Sequence, residues 1–159
     1  MEGTTASQIE KVLTNLARIE QGLAKIYDFL SKRKGFSKPV QKFWETIKIE
    51  EMRHAAYFNE MLDKVREDSS YVQSTQIDPN ELQEFVQKVN ASLESIQKTN
   101  LTEAEAYSFA AHIEADLDEA HFSEKIHVED LVMHTKLQTM NNETKKHSAI
   151  MINHARGIK

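Results

Sequence analysis

The stretch IEEMRHAAYF, residues 49–58, places a carboxylate and an imidazole three residues apart, Glu51 and His54. Around them the apolar residues keep helical spacing: Val40, Phe43, Ile47, then positions 51 and 54, then Phe58, Met61 and Val65. Steps of three and four hold all of these on one helix face. Glu51 and His54 therefore point toward the core. An earlier run, Ile9, Leu13, Leu16, Leu23, Tyr27 and Leu30, leaves one seam position open, and Glu20 fills it. A buried carboxylate costs on the order of several kcal/mol unless partners or a cation neutralise it. Carboxylates and imidazoles turned toward one point are ligands for divalent transition metals.

The arrangement occurs twice. ARIEQGLAKIYDF resembles AHIEADLDEAHFS, aligning Ala17 with Ala111, Ile19 with Ile113, Glu20 with Glu114 and Leu23 with Leu117. Glu20 precedes His54 by 34 residues, and Glu114 precedes His147 by 33. Such a repeat predicts two helical hairpins, each with an inward Glu on its first helix and an inward His on its second. Heights agree in the first hairpin. Glu20 and Glu51 are equidistant from Gly35, roughly 20 Å from the turn at the helical rise. In the second, the midpoint of Glu114 and Glu143 falls near residue 128, where KIHVEDL carries no Gly or Pro.

Four Gly and two Pro in 159 residues leave few breaks, so helices are expected throughout one domain, residues 1–159. The first spans about 6–33 and stops near Gly35. Ser37 and Pro39 open a second, to about Arg66. DSSYVQSTQI, residues 68–77, reads as a polar loop. Asp78, Pro79 and Glu81 start a shorter helix to about Lys98, burying Leu82, Phe85, Val89 and Ile96. Thr102 and Glu105 form a capping box for the next helix, with Tyr107, Ala110, Glu114, Leu117 and His121 along its seam. A last helix covers roughly 129–155, with Met133, Leu137, Met140, His147 and Met151 inward. The fold class is all-α: a four-helix bundle of two antiparallel hairpins, with the short extra helix in a long crossover.

Composition removes several functions. The absence of cysteine excludes disulfides, thiolate metal sites, iron–sulfur clusters and thiol catalysis. A net charge of −5 without a basic patch argues against nucleic acid. The KRK near residue 33 complements a helix C-terminus instead. No apolar run approaches the length of a membrane span. MEGTTASQIEK does not read as a signal peptide, so a cytoplasmic location is expected.

The pattern resembles the ferritin-like di-iron carboxylate proteins, closest to rubrerythrin without its rubredoxin domain. The resemblance covers almost the whole chain. In that family two helices each give one Glu, and two others each give Glu-x-x-His. It implies that Glu20 and Glu114 are the single carboxylates, that Glu51 and His54 are one full motif, and that His147 is the second imidazole. It further implies two iron ions per chain, with other divalent metals as alternatives. The activity implied is reduction of O2 or peroxide, peroxidase- or ferroxidase-like, or iron handling, in a homodimer. The rubredoxin tail needs four Cys, so an external electron donor is expected.

The last helix departs from the motif. Three residues before His147 stands Thr144, and Glu143 sits one residue early. A Glu side chain can cover that offset at a rotamer cost of roughly a kcal/mol. The expectation is that Glu143 bends inward as a metal ligand, giving a firm ion beside Glu51 and His54 and a weaker one beside Glu143 and His147. Asp118, one turn after Glu114, reads as exposed and is the first substitute ligand. His121 reads as a core or boundary residue, and His112, His127 and His134 as surface. His154 can lie inward, too far along the axis to share the same metals. Met133, Met140 and Met151 read as packing. The alternative function is a metal-poor or metal-free bundle serving as a structural or partner-binding module.

Overall fold

A computed structural model describes residues 6–120 and 122–157. The chain is mostly helical. The described residues form five α-helices, α1 (Ala6–Ser31), α2 (Lys38–Glu67), α3 (Pro79–Lys98), α4 (Glu103–Ala120) and α5 (Leu131–Gly157). Two short strands, β1 (Val72–Thr75) and β2 (Ile126–Val128), pair antiparallel, with Val72 opposite Val128 and Thr75 opposite Ile126. No described helix is long and apolar enough to cross a membrane.

Local chemistry sets the boundaries. Gly35 takes φ +96 in the α1–α2 turn, a conformation that L side chains rarely adopt. Pro39 sits in the first turn of α2, where its missing N–H costs nothing. Ser37 precedes α2 without capping it, because its hydroxyl donates to Glu103 at 3.0 Å. Asp78 caps α3 by accepting from the Asn80 N–H. The capping box before α4 closes both ways: Glu105 N–H donates to Thr102 Oγ1, and Thr102 N–H to Glu105 Oε1.

α1 packs along α2, and α4 along α5, each pair joined by a short connection. α3 lies against α1. The crossing is tight at Gly22, where a Cβ would stand 2.6 Å from Val89 Cγ1. The buried set of α3 is the expected one, Leu82, Phe85, Val89 and Ile96. Along α1 and α5 the expected seam residues are also buried, including Leu13, Leu23, Tyr27, Met133 and Met140.

Two readings change. The segment 68–77 is not wholly a loop, because β1 lies within it, held by a buried Val72 and by pairing to β2. On α2, Trp44 is fully buried while Phe43 is only half-buried, so the seam runs Val40, Trp44, Ile47. The turn near residue 128 exists as a short 3-10 segment, β2 and a cap. Asp130 accepts there from the N–H groups of Val132 and Met133.

Candidate metal centre

Each expected inward ligand takes its position from the core residues of its helix. Glu20 is buried on α1 between Ile19 and Leu23, and Glu114 on α4 between Ile113 and Leu117. Glu51 and His54 on α2 are 1 % and 0 % exposed, and His147 on α5 is 2 % exposed. The fold brings these five together as two groups that could each hold a metal ion: Glu20, Glu51 and His54, and Glu51, Glu114 and His147. Within each group the ligand atoms lie within 4.8 Å of one another.

Glu51 belongs to both groups. Its Oε2 stands 3.5 Å from His54 Nδ1, and its Oε1 2.9 Å from His147 Nδ1. Neither oxygen makes a hydrogen bond, nor does either Nδ1. The two imidazoles face one another nearly parallel, centroids 6.3 Å apart, with the carboxylate between their inner edges. Glu20 Oε2 is 3.7 Å from His54 Nδ1, and Glu114 Oε1 is 3.9 Å from His147 Nδ1. Glu20 Oε2 and Glu114 Oε2 are buried without hydrogen-bond partners. Buried polar atoms are almost always paired. Six unpaired donor atoms turned into one small volume are the arrangement a cation would satisfy.

The outer ring nitrogens are held. His54 Nε2 donates to Glu143 Oε2 at 2.6 Å, and His147 Nε2 donates to Glu50 Oε2. Fixing the proton on Nε2 leaves the Nδ1 lone pair for a ligand when the imidazole is neutral. The carboxylates cross over: Glu50 on α2 holds the imidazole of α5, and Glu143 on α5 holds the imidazole of α2. The structure thus places Glu143 apart from the two ligand groups. Its carboxylate lies at the outer edge of His54, where the Arg53 guanidinium also reaches it at 3.2 Å. The reason is angular. One residue before Thr144, Glu143 leaves the helix about 100° away from the inward direction, toward α2. Glu50, which the sequence reading did not single out, occupies the matching place. The signal was available: EEMRH and ETKKH both begin with a Glu four residues before the imidazole.

Thr144 is buried, and its hydroxyl donates back to the Met140 carbonyl. Beside it is a cavity of about 30 Å³, lined by Glu20, Leu117, Asp118, Met140 and Thr144 among others. That is room for about one water molecule. Asp118 is not the exposed residue expected from sequence. It is half-buried, and its Oδ1 is buried without a hydrogen-bond partner on the cavity wall. His112, His127 and His134 are exposed. His154 is exposed rather than inward, its ring laid on Tyr107. His121 lies outside the described residues.

Protons neutralise the centre when no cation does. Burial and the charge of Glu51 raise Glu20 well above the usual carboxylate range. The same two causes raise Glu114 to about 8. Burial would raise Glu51 too, but the facing Glu20 carboxyl and the two imidazoles hold it below the usual range. Burial disfavours a charged His54, yet Glu20 and Glu51 outweigh it and raise the imidazole to about 12. His147, opposed by burial and favoured by Glu51, Glu114 and Glu50, is raised to about 9. Tyr27 donates to Glu114 Oε1, and burial together with that carboxylate's charge raises the phenol.

Compared with protein-family models, with curated proteins and with solved structures, the chain matches none.

Proposed function

We propose that this chain is a non-haem dimetal protein of the ferritin-like, rubrerythrin-type kind, that its ions are iron, and that it acts on O2 or peroxide or handles iron. The observation that carries this reading is Glu51, whose two unpaired oxygens face the inner nitrogens of two different imidazoles. A carboxylate so placed can bridge two ions. The helix pairing supports the same reading, with α1–α2 and α4–α5 as the two hairpins of a four-helix bundle and α3 in the crossover.

The residues fit the group. Glu20, His54 and Glu51 Oε2 would hold one ion, and Glu114, His147 and Glu51 Oε1 the other. When bound, an iron pair supplies two electrons, one from each ion, for reduction of O2 or peroxide. The protein's part is to aim and to insulate. Glu143 and Glu50 orient the imidazoles from outside. Leu23, Phe58 and Leu117 are buried in the core around the centre and exclude water. The protons held by Glu20, Glu114 and the imidazoles leave as a cation enters. Three carboxylates against two divalent ions leave one positive charge over. The cavity beside Thr144, with the unpartnered Asp118 Oδ1 on its wall, is the space where a small polar ligand could reach the centre.

The test is a metal titration of chelator-treated protein under argon, with ferrous iron in the calorimeter cell and elemental analysis of the product. Two ions per chain are expected, with consumption of O2 or peroxide on exposure. A chain that retains no stoichiometric metal would sink the reading and leave the cluster as a proton-neutralised structural core.

A further inference from the structure

Four aromatic rings, one from each of α1, α2, α4 and α5, run in contact from the centre to the surface. Tyr27 begins the series with its hydroxyl on Glu114. Its ring stacks on Trp44, centroids 5.4 Å apart and planes at 20°. Trp44 lies 5.1 Å from Tyr107 at 30°, and Tyr107 stacks on His154 at 4.8 Å and 16°. Tyr27, Trp44 and Tyr107 are buried, and His154 is exposed. Phe43 braces the outer three, within 5.0 to 5.2 Å of each. On the Asp118 side the rings are Phe58, Phe85 and Phe122, and benzene rings without a heteroatom are far harder to oxidise. The buried oxidisable rings, Tyr27, Trp44 and Tyr107, thus mark one direction out of the core, while Tyr57 and Tyr71 are only half-buried.

We propose that Tyr27, Trp44, Tyr107 and the ring of His154 form a one-electron conduit, joining the candidate metal centre to a surface where an external one-electron reductant docks. Its use by a metal pair rests on the dimetal reading above. The conduit itself is a property of the rings. Electron transfer decays exponentially with distance, so a buried centre is served best by intermediate sites in contact. An electron drawn from Tyr27 toward a metal pair bound beside it would be matched by a shift of the phenolic proton along its hydrogen bond to Glu114 Oε1. Trp44 refills Tyr27, and the proton returns. Trp44 Nε1 has no hydrogen-bond partner, so the indole passes the electron without handing its proton to a neighbour. Tyr107 refills Trp44, and the reductant at the His154 edge refills Tyr107. The sum is one electron from donor to centre, with every ring restored.

The chain has no cysteine, so His154→Cys supplies a single thiol whose label takes the place of the imidazole at the outer end of the series and tests the three inner rings. A ruthenium polypyridyl photo-oxidant is attached there, in metal-free protein at alkaline pH so that Glu114 can take the phenolic proton, and oxidised by a flash in the presence of an electron acceptor. A long-lived tyrosyl radical is expected, read by its visible absorption and by electron paramagnetic resonance. It should vanish in Tyr27→Phe and in Trp44→Phe, because a hole stopped at Tyr107 recombines quickly with the adjacent label. Circular dichroism checks that Trp44→Phe folds; Tyr107→Phe interrupts the series independently. A long-lived radical unchanged in Trp44→Phe or Tyr107→Phe, or absent from the labelled parent, would overturn the conduit. Elemental analysis of the same protein after iron loading decides the dimetal reading separately. A radical at Tyr27 in a chain that retains no iron would keep the conduit and retire that reading.

Discussion

Replacing Glu51 by Gln should abolish metal-dependent stabilisation altogether. The side chain is almost isosteric, so packing around a residue 1 % exposed is preserved. What is lost is the anionic carboxylate, with one oxygen aimed at each imidazole. An ion bound only by the folded chain and supplied at a hundredfold its Kd stabilises by about 2.7 kcal/mol. For a chain of this size that is a rise in Tm of about 5–10 °C per ion. Two ions should therefore raise the wild-type melting point by roughly 10–20 °C. The assay is thermal unfolding by circular dichroism, with Mn(II) or Fe(II) under argon against chelator. Each protein is compared only with itself, so any stability change in the metal-free variant drops out. Glu20→Gln and Glu114→Gln should each retain about half the shift. A wild-type shift surviving in Glu51→Gln would refute the shared carboxylate, and equal losses in all three variants would refute two separable ions.

The carboxylates behind the imidazoles give a second expectation. Glu143→Gln should weaken the ion beside His54, and Glu50→Gln the ion beside His147, each by about 10–100-fold in Kd, as calorimetry would read. A loss of the His147-side ion in Glu143→Gln would contradict the crossed geometry. The pH dependence of the metal-free protein has a definite sign. His147 is raised from 6.5 to about 9 and Glu114 from 4.5 to about 8, so the folded state binds their protons more tightly than the unfolded one. The His147 contribution is complete below pH 6.5, and that of Glu114 below pH 4.5. Both are lost as pH climbs through about 8 and 9, so the denaturant midpoint in chelator should fall between pH 7 and pH 9.5. A midpoint that rises over that range would be inconsistent with proton-neutralised ligands. Finally, Gly22→Ala should destabilise by about 1–3 kcal/mol through the clash with Val89, and Val89→Ala in the same chain should recover part of it. An unaffected Gly22→Ala would mean that α3 shifts freely on α1.

Glu20, Glu51, His54, Glu114 and His147 were legible because each interrupts an apolar seam, and periodicity fixes the direction in which a helical residue points. Partners across helices were not. Glu143 could be assigned a charge and a reach from sequence, but its destination depended on how closely α2 approaches α5. Glu50 was hidden for a related reason. On α2 alone it is an ordinary half-buried polar residue, and only the presence of His147 opposite gives it a role. Trp44 and Phe43 are adjacent, and a seam stepping by three or four admits either. The burial of Trp44 is decided by Tyr27 and Tyr107 on neighbouring helices. β1 and β2 are too short to show an alternation, and each is a strand only because the other is there. Helix starts at 78–79 and 102–105 were readable because capping is local chemistry.

The crossed carboxylates also bear on how the two halves of the chain find their alignment. α2 and α5 each pack far more extensively on another helix, and where they approach one another the pairs Glu50–His147 and His54–Glu143 lie between them, with Lys136 on Glu60 and Phe43 against His154 farther along. A slip of one helical turn is about 5.4 Å. It would strip both imidazoles of their carboxylates at once, leaving each buried ring and each half-buried carboxylate without its partner. Register between α2 and α5 is therefore read twice, by two reciprocal contacts that match together or fail together, in the manner of a lock that needs both keys turned.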